Sequence, residues 1–177
     1  MASALEQHFD LPKVFAAVSI KEVAASKMWQ LEGVENIDSQ VTEVTSMAVP
    51  AAGQFAQLDG QLLVWQGVNR FFWLTTSEAS VEQVEGLYVT DQSQSKTQFQ
   101  ISGAGARDLL ARGLPIELDD QAFAVGEIKI SHINHIGVSV LRLPDTDGLP
   151  VFELWVMRGF AVSLMAFLSV SAETLQP

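Results

Sequence analysis

Apolar and polar positions alternate in short runs over the first hundred residues and settle into longer, cleaner patterns afterwards. Lys27-Met28-Trp29-Gln30-Leu31 reads as a strand that ends at Gly33. Gln61 to Trp65 and Arg70 to Leu74 are aromatic and aliphatic, and Gly67-Val68-Asn69 lies between them. Two such runs around a Gly/Asn cluster predict a hairpin. Glu78 to Glu85 predicts a short helix, with Thr76 or Ser77 as its cap. Residues 32–60, rich in Gly, Ser, Thr, Gln and Asp and interrupted by Pro50, predict connecting segments with one or two edge strands.

The last eighty residues are more regular. Thr97 to Ile101 alternates as a half-buried strand does. It runs through Ser102-Gly103-Ala104-Gly105 into a helical stretch, Ala106 to Arg112, closed by Gly113 and Pro115. Ile128 to Leu141 is one long β pattern, Asp145 to Gly148 a turn, and Phe152 to Val156 another strand. A terminal helix from Phe160 to Ser169 places Phe160, Leu164, Phe167 and Leu168 on one face. The order β, α, β, β, α predicts an α+β fold.

Composition narrows the function classes. The 177 residues carry a formal charge of −11, which argues against a nucleic-acid or anionic-membrane partner, because both are drawn by Lys and Arg. With no cysteine there is no disulfide, thiolate zinc site, iron–sulfur cluster or thiol nucleophile. Hydrophobic residues make up 48%, enough for a sizeable core. The N-terminal stretch lacks the basic and apolar regions of a signal peptide. Val151 to Val170 contains Glu153 and Arg158 and is too short in its apolar part to span a bilayer. The expectation is a cytoplasmic chain.

Candidate chemistry is sparse. Gly103-Ala104-Gly105 between strand and helix resembles the start of a dinucleotide fingerprint, but the third glycine position holds Asp108, whose charge would repel a pyrophosphate. A tight β-to-α turn is the favoured reading. His132 and His135 would be a metal pair on a helix. In a strand of period two they face opposite ways, one half-buried beside the core and the other toward solvent or a partner. Asp119-Asp120 and Asp145/Asp147 sit in turn-like sequence and read as solvated turn residues. There is no nucleophile elbow and no P-loop. No catalytic residue, cofactor-binding residue or metal ligand is expected.

Residues 101–127, ISGAGARDLLARGLPIELDDQAFAVGE, resemble the γ-subunit family of heterotetrameric sarcosine oxidase. The family pattern falls on Ser102, Gly103, Gly105, Ala106, Arg107, Asp108 and Leu110. It continues on Gly113, Pro115, Leu118, Asp119, Ala122, Phe123 and Gly126. A second block, FELWVMRGFAVSLMAFL at residues 152–168, is similar to F-E-L-x-V-x-R-S-F-A-x-x-L-x-x-x-L, with Gly159 in place of the usual Ser or Thr. The resemblance spans about residues 62–168 and keeps the order of both blocks.

The resemblance implies an α+β, T-protein-like fold of two similar α/β halves with mixed or antiparallel sheets, within a single γ-like domain over 1–177 whose halves would be 1–96 and 97–177. It implies a non-catalytic accessory subunit of a complex that oxidatively demethylates sarcosine. FAD, FMN, NAD, tetrahydrofolate and zinc would then lie on partner subunits, and the large α subunit, with β and δ, would be the partners. The candidate contact residues are Ser102, Gly103, Gly105, Arg107, Asp108, Phe152, Glu153, Arg158 and Phe160, with the two arginines as polar anchors. Residues 99–177 are the less acidic and more apolar part and are expected to hold that contact. The alternatives are a free-standing folate- or one-carbon-binding module, a subunit of a related N-methyl amino acid dehydrogenase, or a homo-oligomer.

Overall fold

The computed structural model describes residues 3–6, 8–24, 26–76, 81 and 83–175. In chain order the strands begin with β1 (Lys13–Val14), β2 (Ser19–Glu22) and β3 (Lys27–Glu32), followed by helix α1 (Asp38–Thr45). Then come β4 (Phe55–Leu58), β5 (Gln61–Gly67), β6 (Arg70–Thr75), β7 (Tyr88–Asp91) and β8 (Lys96–Ser102). Helix α2 (Ala106–Ala111), β9 (Ile128–Ile133), β10 (Ile136–Thr146), β11 (Leu149–Met157) and α3 (Ala161–Glu173) complete it. Half of the expected helix at Glu78–Glu85 lies outside the described residues, and Val81 and residues 83–85, which are described, are not helical.

The chain forms two compact units, one of residues 26–94 and one of residues 1–25 with 95–177. The halves expected from sequence, 1–96 and 97–177, assign the first 25 residues to the first half. Hydrogen bonding assigns them to the second, because β2 pairs antiparallel with β8, Ile20 opposite Ile101.

In unit 26–94 an antiparallel sheet runs in the order β4-β5-β6-β3-β7. The expected hairpin is present, with Val68-Asn69 as its two-residue turn between Gly67 and Arg70 and Asn69 at φ 51°. β4 is an edge strand, joined to β5 by Asp59-Gly60, both at positive φ as a type I′ turn requires. Helix α1 was not expected. Ile37 just before it, Val41 and Thr45 recur every fourth residue and are buried, so one stripe of the helix packs with Leu31, Leu63 and Phe71.

The other unit has a six-stranded antiparallel sheet, β1-β2-β8-β11-β10-β9. One face carries Ile20, Phe99, Ile101, Phe152, Leu154 and Val140, and it packs with α2 and α3 through Leu109, Leu110, Leu164, Met165 and Leu168. Each of these large side chains is fully buried, which stabilises by roughly 1.5–3 kcal/mol apiece relative to exposure. The single long strand expected at Ile128–Leu141 is instead a hairpin. Asn134 and His135 both lie at positive φ, and Ile133 faces Ile136 across the two-residue loop. An Asn at the first turn position is what permits it. The expected apolar face of the last helix also shifts: Leu164 and Leu168 are buried, whereas Phe160 lies in the preceding 3-10 turn and is 49% exposed.

Candidate functional site

The first motif block begins where β8 ends. Gly103 adopts φ +124°, and a Cβ there would lie 2.5 Å from the Ala17 carbonyl oxygen. A Cβ on Gly105 would come within 2.8 Å of the Ala17 Cβ, and the Gly105 N–H donates to the Ala17 carbonyl at 2.9 Å. Both glycines therefore exist to let the 17–18 backbone approach. That backbone takes the Gly105 N–H, a donor that a dinucleotide turn would offer to phosphate. Asp108 is exposed in the first turn of α2, favourably placed for the helix dipole.

Arg107, in the first turn of α2, pairs within its own unit. Its Nε donates to the Leu118 carbonyl at 2.9 Å and its Nη2 to Asp120 Oδ1 at 2.5 Å. Asp120 also accepts from Arg142 Nη2 at 2.9 Å, and the same Nη2 reaches Asp145 Oδ1 at 2.6 Å. Arg142 is 1% exposed, and its guanidinium lies over the Phe152 ring, 5.2 Å from the centroid. Its hydrogen bond, helped by the Arg107 hydrogen bond and the charge of both arginines, holds the Asp120 carboxyl below its usual range against the opposing effect of desolvation. Asp120 and Asp145, expected as plain turn residues, are thus the counter-ions of a buried arginine. Asp119 does keep a turn role, its Oδ1 accepting from the Gln121 and Ala122 N–H groups.

Arg142 was missed by sequence reasoning although its signal was present. With a period of two it shares a face with Val138 and Val140, both buried.

In the second block, Phe152 and Glu153 point to opposite faces of β11. Phe152 is fully buried, with its ring centroid 6.1 Å from that of Phe123. Glu153 is 7% exposed and accepts a 2.5 Å hydrogen bond from the Trp155 indole. Burial pushes its carboxyl up, opposed by that hydrogen bond and by the charge of Lys21. Ser102 pairs with Val151 at one end of the β8–β11 ladder, whereas Met157, just before Arg158 and Phe160, pairs with Lys96 at the other. The nine candidate contact residues accordingly fall at two ends and two faces of one sheet, and several are spent internally. They do not make one patch.

His132 and His135 are both exposed, the latter in the hairpin loop, which corrects the half-buried placement. Among the described residues no cluster of three His, Asp or Glu could hold a metal ion.

In unit 26–94 a cavity of about 440 Å³ lies beside β7, lined by Trp29, Val81, Leu87, Tyr88, Val89 and Thr90 among others. The Trp29 indole N–H is buried without a hydrogen-bond partner. A smaller hollow of about 230 Å³, lined by Val34, Glu35, Gln40 and Gly86, shares Tyr88 with it. Sequence reading gave no signal for either hollow.

Comparison with solved structures places this architecture. A chain of heterotetrameric sarcosine oxidase from Corynebacterium sp. U-96 superposes with a TM-score of 0.81 at 17% identity, over 100% of this chain and 98% of that one. Glycine cleavage system aminomethyltransferase T from Bartonella henselae gives 0.58 at 14% identity, over 87% of this chain and 46% of that one. The fold is T-protein-like and α+β. This is the fold class expected from sequence, with all strand pairs antiparallel among the described residues. No protein-family model matches the chain, and no curated protein does. No helix among the described residues is long and apolar enough to cross a membrane.

Proposed function

We propose that the chain is a non-catalytic accessory subunit, of γ type, in a sarcosine oxidase-type heterotetramer that oxidatively demethylates sarcosine. The observation that carries this reading is the end-to-end likeness to a chain of such an enzyme, 100% of one and 98% of the other. The motif blocks at 101–127 and 152–168 support it from the sequence side. On this reading the large α subunit, with β and δ, holds FAD, FMN, NAD, tetrahydrofolate and zinc, in the cytoplasm. This chain contributes surface, consistent with a glycine turn closed by its own backbone and with arginines 107 and 142 ion-paired within the chain.

Affinity purification of the tagged chain from its native host at gentle salt tests the reading. The expected result is co-purification of a flavoprotein, visible by flavin absorbance and by sarcosine-dependent oxygen uptake. Recovery of the chain without any flavoprotein overturns it. The likeness to an aminomethyltransferase T supports a second reading, a one-carbon-binding module. Calorimetry with tetrahydrofolate decides it, since absence of heat removes that reading.

A further inference from the structure

Among the described residues, the outer edge of β7 offers unpaired backbone beside a hollow. The Gln92 N–H donates to the Met28 carbonyl at 2.8 Å, and Gln30 faces Thr90 while Leu31 faces Val89. Antiparallel ladders alternate, so Tyr88 and Thr90 exchange hydrogen bonds with β3 while Val89 and Asp91 turn their N–H and C=O groups outward. Among the described residues no strand pairs with that edge. Edges are commonly blunted by Lys or Pro. β9, an edge of the other sheet, carries Lys129, whereas Tyr88-Val89-Thr90-Asp91 carries neither.

Alongside the edge, Tyr88 is 64% exposed and Val34 84%, and the cavity under Trp29 and Leu87 lies against the same strand. The unit that carries it is acidic. Residues 26–94 hold nine carboxylates and two cations, Lys27 and Arg70, and both cations are already paired, with Asp91 at 3.7 Å and Glu32 at 2.5 Å. Glu35 lines the smaller hollow, and Glu85 adjoins Gly86, which lines it too.

We propose that the β7 edge is a docking strand for a basic, extended segment of a partner protein. The segment adds one strand to the sheet, satisfies Val89 and Asp91, and sets an apolar side chain into the Trp29 cavity, where the buried indole N–H gains an acceptor. Main-chain pairing supplies affinity, and the cavity and the carboxylates supply selectivity. The acidic surround suits Lys and Arg on the incoming strand and disfavours an acidic one. This deepens the accessory-subunit reading and rests on it for the identity of the partner.

The test selects short random peptides displayed on phage against the full chain, then measures the winners by fluorescence anisotropy. The expected winners are rich in Lys, Arg and β-branched residues and free of Pro. Val89→Pro removes an outward N–H and leaves the β3 ladder intact, and it should weaken them about tenfold. Tyr88→Asp should weaken them comparably, and Val68→Asp, in the hairpin turn, should leave them unchanged. Melting curves show which variants fold, and Tyr88→Asp decides if Val89→Pro does not. Acidic winners, no winners, or winners that bind Tyr88→Asp undiminished overturn the proposal. So does a homodimer that Tyr88→Asp dissolves, since the occupant is then a second copy. If a flavoprotein co-purifies equally well with Tyr88→Asp, this surface fails and the accessory reading stands. If peptides behave as expected but no flavoprotein co-purifies, the reverse holds.

Discussion

The strand-to-helix turn at residues 102–105 and the β7 edge at residues 88–91 both place backbone at the margin of a sheet, and they differ in what lies against it. At the turn, the Gly105 N–H is taken by Ala17 and the Gly103 N–H by Pro150, and both glycines are closed in by neighbouring atoms. At the edge, Val89 and Asp91 have no strand on their outer side among the described residues. The same contrast holds for charge. Arg142 is buried among Asp120, Asp145 and Phe152, whereas Arg70 meets Glu32 in the open, with side chains 47% and 37% exposed. The motif block that stands out in sequence is here an internal fastening, whereas the β7 edge lies outside both blocks.

The contrast can be broken most directly at the turn. Gly103→Ala puts a Cβ against carbonyl backbone at a φ that L-residues rarely adopt, and it should cost about 3 kcal/mol or more, read as a fall in Tm. Gly60→Ala also sits at positive φ, +76°, but has nothing within 4 Å, and should cost only about 1 kcal/mol. Equal losses at the two sites would mean that close approach contributes nothing.

Arg142→Ala comes next. It removes several hydrogen bonds and the stem packed on Phe152, an expected loss of about 2–4 kcal/mol in urea unfolding. Arg70→Ala should leave the midpoint unchanged, because exposed pairs contribute little. A large effect at Arg70 would erase the distinction between the two regions.

Glu153 sharpens the comparison through pH. Its carboxyl is raised by burial, so the folded state holds its proton at a pH where the unfolded chain has lost it. Its contribution is complete below the unfolded value and declines as pH rises through the folded one. Glu153→Gln should therefore raise stability near pH 7 by about 1 kcal/mol and change nothing at strongly acid pH. Asp120 works with the opposite sign. Lowered chiefly by the Arg142 hydrogen bond, it stabilises above its unfolded value, and that stabilisation is lost as pH falls through the folded one. Thermal melts of Asp120→Asn across pH should show the acid-side slope reduced. The smallest effect is expected at the β7 edge, where Tyr88→Ala should shift Tm by no more than measurement error because the side chain is already 64% exposed.

What the sequence disclosed followed the strength of local periodicity. β8, α2, β11 and the β5–β6 hairpin were all legible, since each combines alternation or helical spacing with turn residues at its ends. The hairpin at 128–141 was hidden because Asn134-His135 lacks glycine, and the β pattern continues on both sides of it. Helix α1 was hidden among polar residues, although Ile37, Val41 and Val44 already held helical spacing. The candidate site was less legible than the fold. Family-pattern residues lie near one another in sequence, but period two sends Phe152 and Glu153 to opposite faces, and the ladder carries Ser102 and Arg158 to opposite ends. The hollow beside β7 joins Trp29 to residues 81–90 through pairing across sixty positions, which no local pattern encodes.

The pairing of β2 with β8 also imposes an order on biosynthesis. Residues 19–22 leave the ribosome more than seventy residues before their sheet partner at 96–102, and β11, which pairs with that partner, follows later still. Residues 26–94 have all their strand partners within one contiguous stretch and can close first. Until residues 96–102 follow, β2 has only β1 to pair with. Slow codons or a pause placed after residue 94 would lengthen that wait, and a chaperone that shields Val18 and Ile20 would shorten its hazards.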